Sequence, residues 1–205
     1  MKYLRILAVA ALVSSSAVAA ENPAPAPSGT YVADPAHSSV TWKISHLGLS
    51  NYTARFATMT AELVWNAENP DASKVSATID PLSVRTGFPF PEKEDFDEKI
   101  GTTAPFLGAQ PIRFVSTSVK ITGDNKGEVK GDLTFRGQTH VATLDVIFNG
   151  SMAEQPGSKT PKIGFSAVAR LKRSDWGLAP NIKSVGEEVT VVIESEFQPA
   201  DSGHK

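Results

Sequence analysis

The stretch Ser-Ser-Val-Thr-Trp-Lys-Ile-Ser-His at residues 38–46 alternates polar and apolar side chains. Val40, Trp42 and Ile44 share one parity, and polar residues occupy the positions between them. Because successive side chains of a strand point to opposite faces, this period of two predicts a half-buried β-strand with its apolar face turned inward. Residues 189–197 repeat the pattern, with Val191 and Ile193 on the apolar face.

Six further segments rich in Val, Ile, Thr and Phe are typical of strands. They span residues 55–64, 75–79, 112–121, 128–135, 141–148 and 162–172. Short turn-forming stretches between several neighbours favour antiparallel pairing, and no long helices alternate with the strands. Eight antiparallel strands suit either a closed barrel or a two-sheet sandwich, and the residues alone leave both open. A barrel of this strand count has room for one small ligand.

One segment breaks the strand pattern. Residues 91–100 begin with Pro91, carry acidic residues in the first turns and predict a short helix. Phe88 and Phe90 precede it in a Gly- and Pro-containing stretch. Because exposed Phe side chains are costly, we expect residues 87–101 to cover apolar surface near the barrel mouth, as a lid.

The amino terminus carries an export signal. Lys2 and Arg5 are followed by an apolar run at residues 6–13 and by Ala-Val-Ala at residues 17–19. This order is typical of a cleavable secretory signal peptide over residues 1–20, and the apolar run is shorter than the roughly 20 residues that a membrane span needs. We therefore expect the protein to be periplasmic.

The remaining sequence predicts a single domain. Residues 21–28 are typical of a Pro/Ala-rich tether, residues 29–199 of the folded β domain, and residues 200–205 of a disordered tail. The absence of Cys from all 205 residues excludes disulfides, thiolate catalysis and Cys-type metal sites. A formal net charge of −2 argues against nucleic-acid binding, which draws its affinity from Lys and Arg.

Six short blocks, in order along the chain, resemble the YceI family of periplasmic polyisoprenoid-binding proteins. The blocks are Tyr-Val-Ala-Asp-Pro-Ala-His-Ser-Ser-Val at 31–40, His-Leu-Gly at 46–48 with Arg-Phe at 55–56, Ser-Val-Arg-Thr at 83–86, Ile-Arg-Phe-Val-Ser-Thr at 112–117, Gly-Asp-Leu-Thr-Phe-Arg-Gly at 131–137 and Arg-Ser-Asp-Trp-Gly-Leu at 173–178. The resemblance implies a single lipocalin-like, eight-stranded antiparallel barrel and a bound isoprenoid or quinone-like lipid. The family's Arg-Asp-x-His-Leu stretch is replaced here by Phe-Asp-Glu-Lys-Ile at residues 96–100.

The candidate ligand-binding residues follow from the inward faces and from the resemblance. The apolar candidates are Val40, Trp42, Ile44, Phe56, Ile79, Phe88, Phe90, Phe106, Phe114, Leu133, Phe135, Phe165 and Trp176. His46 and Arg55 are the polar candidates for contact with a lipid head group. Without the resemblance, the favoured role of these apolar side chains is to fill a solid core.

We expect a lipid carrier rather than an enzyme. The sequence has no nucleophile elbow, nucleotide-binding loop or two-histidine zinc helix, and we predict no catalytic residue, no metal site and no cofactor beyond the bound isoprenoid or quinone. The expected partners are that lipid and, transiently, a membrane, with the protein as a monomer or homodimer. The alternatives are a module that binds a fatty acid or another amphiphile, an envelope stress protein that acts through protein contacts with a filled barrel, and a hydrolase.

Overall fold

The computed structural model describes residues 24–178 and 184–200. The predicted signal peptide, the first residues of the tether and the predicted tail from 201 onward lie outside the described residues. The described part of the tether is anchored: Ala26 is buried and donates its backbone N–H to Ser151 Oγ over 3.1 Å. Within the described chain, no helix has the length and apolarity to cross a membrane.

Strands make up most of the described chain, and a single α-helix accompanies them. The strands are β1 (Gly29–His46), β2 (Ser50–Phe56), β3 (Met59–Trp65), β4 (Lys74–Ile79), β5 (Val84–Arg85), β6 (Ile112–Gly123), β7 (Lys126–Phe135), β8 (Gln138–Met152), β9 (Lys162–Lys172) and β10 (Val185–Pro199), and the helix is α1 (Phe96–Thr102). The prediction of an all-β domain with one short helix is confirmed.

Eight of the strands close into an antiparallel barrel. The order around the barrel is β10, β9, β8, β7, β6, β4, β3 and β1, and β1 pairs back with β10 to complete the circle. Val40 lies opposite Ile193 in that closing pair. The strands β2 and β5 extend the sheet from β1. The structure therefore decides for the barrel over the sandwich.

The predicted strand at residues 55–64 is divided in two. Between β2 and β3, the backbone N–H groups of Ala57 and Thr58 donate to the carbonyl oxygen and the hydroxyl of Ser83. These bonds to a 3-10 turn at Pro81–Ser83 replace strand pairing at that point. The sequence pattern missed the break because its cause lies 25 residues away in the chain.

The helix begins at Phe96, five residues later than predicted. The carboxylate of Asp95 accepts the backbone N–H of Glu98 over 2.9 Å, and this cap sets the start of α1. Ile100 packs with Val40, Phe56 and Val84, so the helix closes one end of the barrel. Contacts of α1 with the turn at Pro81–Ser83 place that closed end where β4 finishes.

Candidate functional site: an apolar cavity inside the barrel

The barrel is hollow, with an interior cavity of about 520 Å³. Its walls come from inward positions on all eight barrel strands, including Val40, Ala61, Leu63, Val75, Ala77, Ile79, Phe114, Val129, Leu133, Ala142, Leu144, Val146, Phe165, Ala167, Ala169, Ile193 and Phe197. A barrel of eight strands is just wide enough either to be filled by its own side chains or to hold one small ligand. Here alanines at five of these inward positions leave the space open.

The cavity reaches the surface at the end of the barrel away from α1. Among the described residues, the exposed ones that line the cavity all lie at this end, and we call the rim that they form the mouth: Pro25, Ala67, Lys74, Ile121, Asn125 and Lys126. Lys74 begins β4, whereas the turn that contacts α1 follows the end of β4. None of residues 87–101 lines the cavity. The predicted lid segment therefore covers the closed end of the barrel and not the mouth.

Aromatic rings narrow the space just inside the mouth. Trp65 on β3 stacks on Phe148 on β8, with the ring centroids 5.8 Å apart and an interplanar angle of 16°. In either direction around the barrel, β3 and β8 are separated by three other strands, so this pair spans the interior from opposite walls. Phe165 packs edge-on against Trp65 at 6.0 Å. The three rings therefore occupy part of the interior just inside the mouth.

Few polar groups face the cavity. Ser195 lines it, and its hydroxyl lies 2.9 Å from that of Ser38. The charged lining residues within the described ranges are Lys74 and Lys126, both at the mouth. Trp65 also lines the cavity, and its buried Nε1 has no hydrogen-bond partner among the described residues. The cavity is thus apolar in its depth and carries two lysine side chains at its opening.

Five of the predicted ligand-binding residues line this cavity: Val40, Ile79, Phe114, Leu133 and Phe165. The remaining apolar candidates contribute to the closed end or lie outside the lining. Trp42, Phe56 and Phe106 pack in the cluster with Ile100, whereas Phe135 and Trp176 pack with Phe114 and Leu133. Ile44 is half-buried on β1. Phe88 contacts both Phe90 and Phe96. Their contact with a ligand stays a prediction.

The polar candidates lie away from the cavity lining. His46 is exposed where β1 turns into β2, and Arg55 is exposed on β2 opposite Arg85. The sequence reasoning missed Lys74, Lys126 and Trp65, which the structure places at the mouth. The recurrence of Ala at inward strand positions is the signal that could have indicated a hollow barrel, but it carries meaning only once the inward face of each strand is known.

A buried ion pair ties β1 to β9 near the mouth end. The Lys162 ammonium lies 2.5 Å from Asp34 Oδ2, and His37 Nδ1 lies 3.0 Å from the same oxygen. Burial by itself would raise the pKa of Asp34, but the hydrogen bonds from Lys162 and His37 outweigh it and hold this pKa well below its usual range. The hydrogen bond to Asp34 raises the pKa of His37 above its ordinary value of 6.5.

Glu196 joins this group, a juxtaposition that the sequence did not predict. One ligand atom from each of Asp34, His37 and Glu196 lies within 4.8 Å of the others, a spacing compatible with a metal ion. The ammonium of Lys162 already provides a positive charge to Asp34 at that point. The Ser38 hydroxyl contacts Ser195, while His37 contacts Asp34, so this neighbouring Ser and His do not form a nucleophile–base pair.

The fold and cavity define the class of protein: a closed antiparallel barrel with an apolar interior of the size that holds one small ligand. The chain belongs to the YceI family, because the YceI-like domain matches residues 31–197. A UPF0312 protein of Pseudomonas putida is 33% identical over 166 residues, which cover 79% of this chain and 82% of that protein. Protein YceI of Escherichia coli is 31% identical over 160 residues, which cover 78% and 81% of the two chains.

Solved structures share the same fold. BcnA of Burkholderia cenocepacia superimposes with a TM-score of 0.68 at 20% identity, over 80% of this chain and 98% of that one. A polyisoprenoid binding domain from Saccharophagus degradans, implicated in plant cell wall breakdown, superimposes with a TM-score of 0.55 at 17% identity, over 84% and 99% of the two chains.

Proposed function

We propose that this protein is an exported, periplasmic lipid-binding protein that carries or sequesters an isoprenoid chain, either a polyprenyl lipid or an isoprenoid quinone. The observation that carries the proposal is the apolar cavity of about 520 Å³ inside a YceI-family barrel. This volume falls within the range of roughly 300–1,000 Å³ typical of sites that hold one small ligand.

The energetics suit reversible carriage. Each CH₂ group that leaves water for an apolar site contributes about 0.8 kcal/mol, so a long prenyl tail is strongly driven out of water. The bilayer interior is as apolar as the cavity wall, and exchange between the two is therefore close to neutral. A carrier that works between membranes needs this balance, and it needs no covalent step.

The alternative functions require different contents of the barrel interior. A fatty acyl chain would meet the same apolar wall, and direct competition with a prenyl lipid ranks the two. An envelope stress protein that acts only through protein contacts was expected to have a filled barrel, and the cavity counts against that interpretation.

The proposal is tested on protein purified from its own host. Organic extraction followed by mass spectrometry should recover an isoprenoid in near-stoichiometric amount, and a variant with a filled cavity, purified in parallel, should recover none. The intact mass should correspond to cleavage after residue 19 or 20. Recovery of only solvent background, together with no binding of added ubiquinone or prenyl lipid, would refute the lipid-carrier function.

A further inference from the structure

The side chains that line the opening of the cavity carry positive charge. Lys74 and Lys126 are the charged residues that line the cavity in the described part of the chain, and no carboxylate of a described residue pairs with either ammonium group. Four other described lysines, Lys99, Lys130, Lys159 and Lys162, each form an ion pair with an acid, and the remaining described lysines away from the cavity do not. Two unpaired cations therefore stand where a ligand enters.

Two acidic residues lie beside the mouth without forming an ion pair with either lysine. Asp71 is one of them, and its Oδ1 accepts the backbone N–H of Ile121 over 2.7 Å. Asp124 lies in the turn between β6 and β7, and neither acid lines the cavity. The long, flexible stem of a lysine allows its ammonium group to follow a ligand group held at the rim.

The two lysines begin neighbouring parts of the rim. Lys74 begins β4, where it pairs with Val64 of β3, and Lys126 begins β7. Neither ammonium group forms an ion pair with a described residue, and an oxygen-rich anion satisfies such a pair of charged donors.

We propose that the mouth binds the anionic head group of a prenyl phosphate while the prenyl tail fills the apolar depth of the cavity. This inference rests on the proposed lipid-binding function and makes it specific, because it selects an anionic isoprenoid over a neutral quinone or prenol. The recognition residues are Lys74 and Lys126, and neither was expected from the sequence to contact a head group.

The test compares two probes that share one tail. Geranylgeranyl phosphate and geranylgeraniol are titrated into the wild-type protein, into the double variant Lys74→Met/Lys126→Met and into the control Lys120→Met, whose lysine is exposed on β6 and does not line the cavity. We expect the phosphate to bind about tenfold more tightly than the alcohol in the wild type and in the control. In the double variant the two affinities should converge, and added salt should weaken only phosphate binding.

The outcomes separate this inference from the proposed function. Failure of both probes to bind would overturn lipid binding itself. Equal, lysine-independent binding of both probes would leave lipid binding intact and overturn the anion site. Palmitate that binds as tightly as the phosphate, in a lysine-dependent manner, would support the anion site and overturn the preference for an isoprenoid tail.

Discussion

Filling part of the cavity from its wall should weaken lipid binding strongly and leave the fold intact. Ala167 lies on β9 between Val146 of β8 and Ile193 of β10, is only 8% exposed and lines the cavity. Ala167→Phe projects a phenyl ring into the space that we assign to the lipid tail. The ring takes up about as much room as one five-carbon isoprene unit.

The expected loss of affinity follows from the number of lipid carbons that the phenyl ring displaces from the cavity. At about 0.8 kcal/mol for each buried carbon, exclusion of one isoprene unit costs about 4 kcal/mol of binding free energy, or roughly a thousandfold in Kd. This is an upper value, since a displaced unit still contacts the mouth. The added ring also gains contacts inside a hollow barrel, so the unfolding temperature should stay equal or rise.

The assay is a titration with geranylgeranyl phosphate, followed by calorimetry or tryptophan fluorescence, with thermal unfolding measured on the same samples. The matched control is Val168→Phe, because the neighbouring side chain of a strand points to the opposite face and Val168 does not line the cavity. Its affinity should equal that of the wild type. A folded Ala167→Phe variant that binds as tightly as the wild type would show that the lipid does not occupy the barrel interior.

Three further predictions concern stability. Lys162→Met leaves the buried Asp34 carboxylate without its ammonium partner and should cost about 3 kcal/mol of unfolding free energy in chemical denaturation at neutral pH; a loss below about 1 kcal/mol would contradict the role of the pair. Contact with Asp34 raises the pKa of His37, so protonated His37 stabilises the fold fully below about pH 6.5 and loses this effect as the pH rises through the raised pKa. The melting temperatures of the wild type and His37→Gln should therefore converge at alkaline pH. A difference that stays constant with pH would contradict this role of His37. Gly131→Ala places a Cβ 2.4 Å from the carbonyl oxygen of Val115 and should lower the unfolding free energy by about 1–3 kcal/mol in urea denaturation. A variant as stable as the wild type would contradict this prediction.

Much of the strand content followed from local pattern. The predicted strand at residues 162–172 coincides with β9, and the segments at 75–79 and 112–121 fall within β4 and β6. The helix start was misplaced because Pro91 and the acidic run suggested an earlier beginning than the cap at Asp95 provides. A single capping bond can outweigh several weak compositional preferences.

The cavity was harder to predict than the strands. On β1, a register shift between Ala33 and Ser38 places both Tyr31 and Val40 in buried clusters of the barrel, although their positions differ in parity. Trp42 and Phe56 have the expected inward parity, yet they pack with Ile100 at the closed end instead of lining the cavity. Parity predicts the face of a strand on which a side chain lies, but it carries no information about the level in the barrel where the empty space lies.

The sequence by itself determined that this chain forms antiparallel strands with one apolar face, since alternation is a property of neighbouring residues, and its motif blocks pointed to the family. Only the tertiary structure decided that β1 and β10 close the sheet, that alanines from separate strands meet around a hollow interior, and that Lys74, Lys126 and Trp65 come together at its opening. These features depend on contacts between residues far apart in the chain and on the summed volume of side chains from eight strands, and no local pattern encodes either quantity.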